Sequence, residues 1–576
     1  MYKISRFILI VIFSLYNIQF LHSQELSSFK DKNQYKFSGS INLQSALYLS
    51  SDSVKLRDPF FWQLSGNFNI STPIFTIPIS LTLSQQQKFD FDNFLQSQKT
   101  AVTQPFNQFG MSPKYKSLTT HIGYRSLKFS EFSLSGNQFM GIGTDFSPKD
   151  GIFKCKLIYG RFAKAIDTIL PGDFSKTFER WGYGINTIIG NDKNNFGLIL
   201  FKAKDISNSI SGFDTLVTSQ PADNLVFGIT TKHKINKKIN FDGEIDWSAY
   251  TYDTRREDSK LEGYTYLNNL GFLFYANTTS YLSKAMNYNL NFKEEKFDVK
   301  LAYRRIDPDY RTMGSVYLNN DFEDISGTLK YKFLKGRLNL GLTGGVQRNN
   351  LNKTKVSETI RLINSITSNY SPINNKWNLN FGFSNFNSQS QMSVVNFGDT
   401  MRFAQITKSL NLQYSLNSKL KGNNLSSFFS FNFQDANVGS NIGSINQQEL
   451  KTNFYNASFG SSLILSKVNT NINLLINAVN NISNELSSSG IGPTLSISKS
   501  FKTKKNQIRT NFSFSYLKSF VEWVSSGQII NSVCSLNYQI SKKQTLSLNT
   551  SLSQRKISNN ENLFESITTL NYNLRF

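Results

Sequence analysis

Groups able to carry out chemistry are few in this 576-residue chain, which holds only three histidines, His22, His121 and His233, and two cysteines, Cys155 and Cys534. A metal centre needs several such ligands at fixed spacing, and no HExxH, CxxC or paired His–carboxylate cluster supplies them. His121, in THIGYR, has many serines around it in sequence, as a Ser-His nucleophile would require. No residue at a recognisable spacing orients its ring, however. GNQFMGIG, from Gly136 to Gly143, superficially matches a nucleotide loop. It lacks the Walker lysine and a following helix, and reads as a tight turn entering a strand. The sequence therefore predicts no catalytic residue, no metal, no cofactor and no enzyme. The two distant cysteines also exclude a disulfide framework.

The remaining chemistry is charge and hydrogen bonding. Lys154, Lys156, Lys300, Arg304, Lys330 and Lys332 each alternate with apolar neighbours, so a sheet would place them together on its polar side. A basic ring there would favour anions. The alternative is that Asp298 and Asp324 balance these charges across the sheet. Later in the chain the alternating polar residues are neutral: Asn471, Asn473 and Asn477; Asn511, Ser513 and Ser515; and Ser547, Asn549, Ser551 and Ser553. Such side chains keep a lumen wet without strong ion selection. The net charge of +24 does not name a nucleic-acid partner, because Lys, Asn, Ile and Phe are abundant together, as a genome-wide compositional bias would make them.

The element that positions these residues is the β-strand. Fifty Phe and 25 Tyr against 11 Pro suit pleated surfaces. Met286, Tyr288, Leu290 and Phe292 alternate with asparagines, and Phe297, Val299, Leu301 and Tyr303 continue the pattern after a short turn. Trp377–Phe383, Leu410–Leu416 and Ile508–Tyr516 repeat it. Short turns near Glu295, Lys335, Asn375, Lys421, Lys467, Lys504 and Lys542 recur about every 40 residues, the length of two spanning strands and one longer loop. Longer polar segments, Asp307–Phe322, Gln389–Arg402 and Asn437–Glu449, alternate with them and read as loops at the opposite end. A similar period suits propeller blades, but no sequence motif repeats.

The ends of the chain agree with this pattern. Lys3 and Arg6 precede an apolar run from Phe7 to Phe20 and a cleavage box at Leu21-His22-Ser23, which reads as a signal peptide over residues 1–23. The run is too short for a spanning helix, and no later stretch is long and apolar enough for one. Residues 24–34 then form a short periplasmic segment and residues 35–576 the barrel. Leu570, Tyr572, Leu574 and Phe576 share one face of the last strand, a candidate signal for the barrel-assembly machinery. The predicted fold is an all-β, transmembrane, antiparallel up-and-down barrel of about 26 strands, or 24, in the cell outer membrane. The uncertain count comes from Gln85–Pro148, where Leu118–Tyr124 and Phe139–Phe146 must both span to give 26. Cys155 and Cys534 fall on the apolar, lipid-facing side.

A barrel this wide cannot be filled by its own wall. Gln85–Lys116, Leu127–Gly136 and Asp253–Ser283 are the candidates to fold inward, although each taken singly reads first as a solvated extracellular loop.

FGMSPKYKSLTTHIGYRSL (Phe109–Leu127) with LSGNQFMGIG (Leu134–Gly143), and YRRIDPDYRTMGSVYLNND (Tyr303–Asp321), resemble segments of large outer-membrane barrels from Bacteroidetes-type bacteria. The resemblance implies fold and location, covers under a tenth of the chain and brings no catalytic residues. The sequence departs from TonB-dependent receptors, which carry a plug domain ahead of the barrel, and from lipopolysaccharide exporters, which carry a jelly-roll. Two functions fit: a passive, porin-like channel for polar or anionic solutes, or the barrel of a secretion, assembly or surface-protein anchoring complex. The second would use the long loops, Asp307-Pro308-Asp309-Tyr310-Arg311 among them, to hold a large surface or periplasmic protein. A barrel with a blocked lumen is a third. Beyond these, the expected partners are the lipid bilayer and the assembly machinery.

Overall fold

The computed structural model describes residues 35–576 apart from 53–56, 73, 86–107, 167–175, 211–219, 258, 260–270, 272, 275, 356, 394–399, 443–444, 447–449, 504–505 and 558–561. The signal-peptide and 24–34 assignments lie outside the described residues, as do most of Gln85–Lys116 and the turn at Lys504.

Strands pair antiparallel with their sequence neighbours from Lys36–Ser50 to Asn562–Arg575, and the last pairs with the first, with Ser40 opposite Arg575 and Ser50 opposite Glu565. The sheet is therefore a closed barrel of 26 strands. The disputed stretch resolves in favour of 26. Leu118–Ser126 and Gln138–Phe146 both span, and Gln108–Met111 with Lys114–Tyr115 makes one strand interrupted at Ser112-Pro113. The interruption lies beside Pro78, which cannot donate to the ladder. Its carbonyl instead accepts the Ser112 N–H at 2.8 Å.

Closure is sealed at the terminal residue. Phe576 exchanges two backbone hydrogen bonds with Gly39, at 3.0 and 3.1 Å, and its ring lies 5.0 Å from that of Phe37. The apolar period-two faces point outward and stay uncovered: Leu301 is 52% exposed, Ile325 57% and Phe459 54%. Large uncovered side chains in register on neighbouring strands form a band suited to lipid. Aromatic pairs ring the end that carries the termini, among them Phe292–Phe297, Tyr331–Phe333 and Tyr370–Trp377 with centroids 4.2 to 5.5 Å apart. Aromatic girdles of this kind flank the lipid-facing band of a membrane barrel. Cys155 and Cys534 are free thiols on the outward face, as expected.

The described turns at the end where Lys36 and Arg575 lie are short, including Lys421-Gly422 with φ of 47° and 81°. Positive φ at both central residues matches the twist of the flanking strands. At the opposite end the loop pattern differs from expectation. The described residues of Gln389–Arg402 and Asn437–Glu449 are strand, within Trp377–Ser393, Thr400–Leu420, Asn423–Ile442 and Ile445–Asn446. Beyond the lipid band both faces of a strand meet water, so apolar alternation is not required and the sequence reads as a loop.

The described part of Asp253–Ser283 also departs from expectation. Leu273, Phe274 and Ala276 pack against the outer face at Leu200, Leu225, Ala249 and Leu282, rather than inside. Phe274 covers the outward Lys202–Asp223 ion pair, with Lys202 Nζ 5.4 Å from its ring centre. These three apolar side chains need a dry surface, and this outer patch of Leu and Ala supplies one.

Candidate functional site in the barrel lumen

Among the described residues two segments fold into the lumen and meet there. One is Leu127–Gly136, among the three candidates to fold inward, and not the solvated loop that its sequence alone favours. The other is Asp307–Phe322, expected as an exposed loop and a partner surface; instead Tyr310 is 1% exposed and Met313 3%. They join through a short parallel bridge, Leu134 and Ser135 against Gly314 and Ser315. Tyr310 donates from its hydroxyl to the Phe132 carbonyl at 2.9 Å, and Thr312 Oγ1 donates to the Ser133 carbonyl at 2.6 Å. Burial, reinforced by the nearby Asp246 and Glu244 carboxylates, pushes the Tyr310 phenol well above its ordinary pKa, so it remains a donor.

The wall behind these segments is shaped to receive them. Leu134 and Met313 pack with Phe139, Ile158, Phe162, Phe201 and Val226, all inward positions of their strands. Glycines on both sides of this contact, Gly184 in the wall and Gly314 in the inserted segment, admit the rings. A Cβ at Gly184 would lie 2.8 Å from Phe129 Cε2, and one at Gly314 2.9 Å from Phe201 Cε1. Polar wall residues satisfy the inserted backbone. Asn224 Oδ1 accepts the Met313 N–H at 3.0 Å, and Ser248 Oγ donates to the Arg311 carbonyl at 2.6 Å. Ser130 Oγ donates to the buried Asp246 at 3.2 Å. Without these partners the buried loop backbone would be left unpaired.

All six predicted basic residues occupy inward positions. Lys156 donates to the Lys128 carbonyl and Arg304 to Glu131, both on the inserted segment, and strand period places the other four on the same side. They are not a bare ring. Lys154 pairs with Asp192 at 2.6 Å, Lys156 lies 3.9 Å from Asp145, and Arg304 lies 2.6 Å from Glu131. Lys330 is directly opposite Asp298 in the register, and Arg304 opposite Asp324. Lys300 and Lys332 face Thr328 and Asn339 and remain exposed.

The opposite wall, from Leu338 to the C-terminus, is lined as its period implied. Ser384 and Ser409 are 2.6 Å apart, Ser458 bonds Asn477 at 2.6 Å, Ser496 bonds Ser513 at 2.8 Å, and Asn537 bonds Ser547 at 2.9 Å. These ladders tie strand to strand on the lumen side. Beyond Lys355 the described residues form no ion pair and show no large side chain buried by an inserted segment.

Sequence reasoning missed the buried anchors Asn224, Asp246 and Ser248. Asp242, Glu244 and Asp246 at alternate positions of Ile239–Thr251 were the available signal, since three acids facing one lumen ask for a covering partner. GNQFMGIG is the turn and strand expected, with Gly136 at φ 76°. His121 faces inward with its Nδ1 2.9 Å from Ser112 Oγ, and among the described residues no group of three potential ligands could hold a metal ion.

No family model and no curated protein matches the chain. Similar solved structures include the outer membrane protein OpdK of Pseudomonas aeruginosa, 9% identical, covering 62% of this chain and 94% of that one, with a TM-score of 0.28. OccAB3 of Acinetobacter baumannii is 12% identical, with 73% and 99% coverage and a TM-score of 0.28. The FrpB iron transporter of Neisseria meningitidis is 10% identical, with 95% and 82% coverage and a TM-score of 0.35.

Proposed function

We propose that the chain is an outer-membrane channel, not an enzyme, through which polar solutes diffuse along the Asn- and Ser-lined wall. The observation that carries this reading is the one-sided filling of the lumen. Twenty-six strands at about 4.8 Å spacing and a tilt near 40° enclose a perimeter of roughly 160 Å. Among the described residues, the two inserted segments cover the wall between about Phe139 and Phe322 and leave the neutral ladders uncovered. An apolar outer band and an aromatic rim support placement in the outer membrane. Export through residues 1–23, a Bacteroidetes-type source and recognition of Leu570, Tyr572, Leu574 and Phe576 by the assembly machinery belong to the same proposal.

Charge selection is weak on this reading, because carboxylates accompany four of the six lumen bases. Reconstitution in a planar bilayer under a salt gradient tests it: steady conductance with modest ion preference is expected, and a folded, inserted but silent protein would overturn it.

The secretion or anchoring alternative draws on a different feature. Thr400–Leu420, with 21 residues, rises on the order of 50 Å along the axis, about twice the apolar band. A wall of that height offers a surface to a large partner. Stoichiometric co-purification of one protein, lost when residues 385–410 and 432–455 are shortened, is the outcome expected on that reading.

A further inference from the structure

We propose that a recess in the lumen wall beside the closing seam is an oxyanion site, in which Arg125, Arg575 and His121 hold a carboxylate or phosphate group of a solute. The recess has a volume of about 650 Å³ and spans the last strand and the first five. Its lining contains two guanidinium groups, one imidazole and five serines, but no carboxylate. This sets it apart from the lysine-bearing strands across the lumen, where acids accompany most of the bases.

The sequence builds the recess deliberately around Arg125. Its side chain crosses a whole strand to reach Ser80 Oγ, to which Nη1 donates at 2.5 Å. It can do so because the crossed residue is glycine: a Cβ at Gly110 would lie 2.9 Å from Arg125 Cζ. One Nη is thus engaged, while Nε is buried with no acceptor. Among the described residues neither Arg125 nor Arg575 has an acidic partner; Arg575 donates only to Asn573, at 3.3 Å. His121 is fixed through Nδ1 against Ser112 Oγ at 2.9 Å, which leaves its other ring nitrogen for a ligand. The buried, unpaired Nε of Arg125 is costly to desolvate, and an anion reaching it would offset that cost while the exposed Arg575 adds a second positive charge to the same recess. The planar guanidinium fork matches carboxylate and phosphate oxygens, and serine hydroxyls complete the shell. None of this depends on current through the pore; only the consequence for transport rests on the channel reading.

The test is equilibrium binding to the full-length, folded protein in detergent, with inorganic phosphate and citrate as separate probes at low ionic strength. Saturable binding of at least one probe is expected, weakened about tenfold or more by Arg125→Gln and by Arg575→Gln. Lys300→Gln, on the far wall, should leave it unchanged. Arg125→Lys keeps the charge without the fork and should fall between the two. Binding of phosphate alone, or of citrate alone, identifies which oxyanion the recess takes. Absence of saturable binding by either probe, or equal binding by wild type and by heat-modifiable, correctly folded Arg575→Gln and Arg125→Gln, would overturn the site. A protein that binds phosphate but conducts no current would keep the site and reject the channel.

Discussion

The two sides of the lumen solve the same problem differently. From Phe139 to Phe322 the inner wall carries glycines, buried aromatics and charges, and two inserted segments satisfy them. From Leu338 onward it carries Asn and Ser, which satisfy one another across strands. A charge facing a lumen needs a partner, whereas a neutral amide or hydroxyl needs only its neighbour or water. The difference teaches which wall is built to be covered and which to be wet. It also accounts for where the ion pairs fall, since beyond Lys355 the described residues make none.

The largest perturbation is to remove the cover. Replacing residues 128–135 and 309–318 by short Gly-Ser linkers should raise single-channel conductance severalfold, while an equal shortening of the connections between Trp377–Ser393 and Thr400–Leu420 and between Asn423–Ile442 and Leu450–Leu465 should change it little. Equal effects from both would erase the distinction. Next comes Tyr310→Ala, which deletes a fully buried ring and its hydrogen bond to Phe132. A cost of about 3–5 kcal/mol to docking of the segment is expected, read as new protease cleavage between residues 128 and 135 in an intact barrel. On the wet side, Asn477→Ala removes the acceptor of Ser458 and should cost about 1 kcal/mol or less, with no new cleavage.

Gly184→Val sharpens the comparison at one point. The new side chain would meet Phe129, and overpacking of about 1–3 kcal/mol should loosen the inserted segment while the barrel still forms, measured as more open-state current noise. The same change at Gly382, whose added Cβ would meet only Asn411 at 3.7 Å, should be silent. The smallest effect expected is that of Glu131→Gln. It frees Arg304 from a half-exposed ion pair worth about 0–1 kcal/mol, so stability should hold while anion preference rises slightly in a salt-gradient reversal potential.

Much of the wall was legible in the sequence because lipid imposes a strict rule. Trp377, Leu379, Phe381 and Phe383 must alternate with polar residues where one face meets hydrocarbon, and the register follows. The rule lapses where lipid ends, which is why the upper parts of Thr400–Leu420 and Asn423–Ile442 read as loops. It does not apply to inserted segments either. Asp307-Pro308-Asp309 looks solvated, and only Tyr310 and Met313 betray a buried turn. The Arg125 recess was invisible because its parts come from six strands, brought together by a seam between the first and last elements. His121 was noticed, but the hydroxyl beside it sits in a strand break that sequence spacing could not place.

Thiol accessibility in a single conducting channel separates a covered wall from a wet one. With Cys155 and Cys534 replaced by serine, a cysteine is placed either at Asn411, an exposed inward position of the neutral wall, or at Ala203, buried beneath the inserted segments. A membrane-impermeant, charged thiol reagent should step the current down for Asn411→Cys and leave Ala203→Cys unchanged. Equal modification at Ala203, or none at Asn411, would contradict the account.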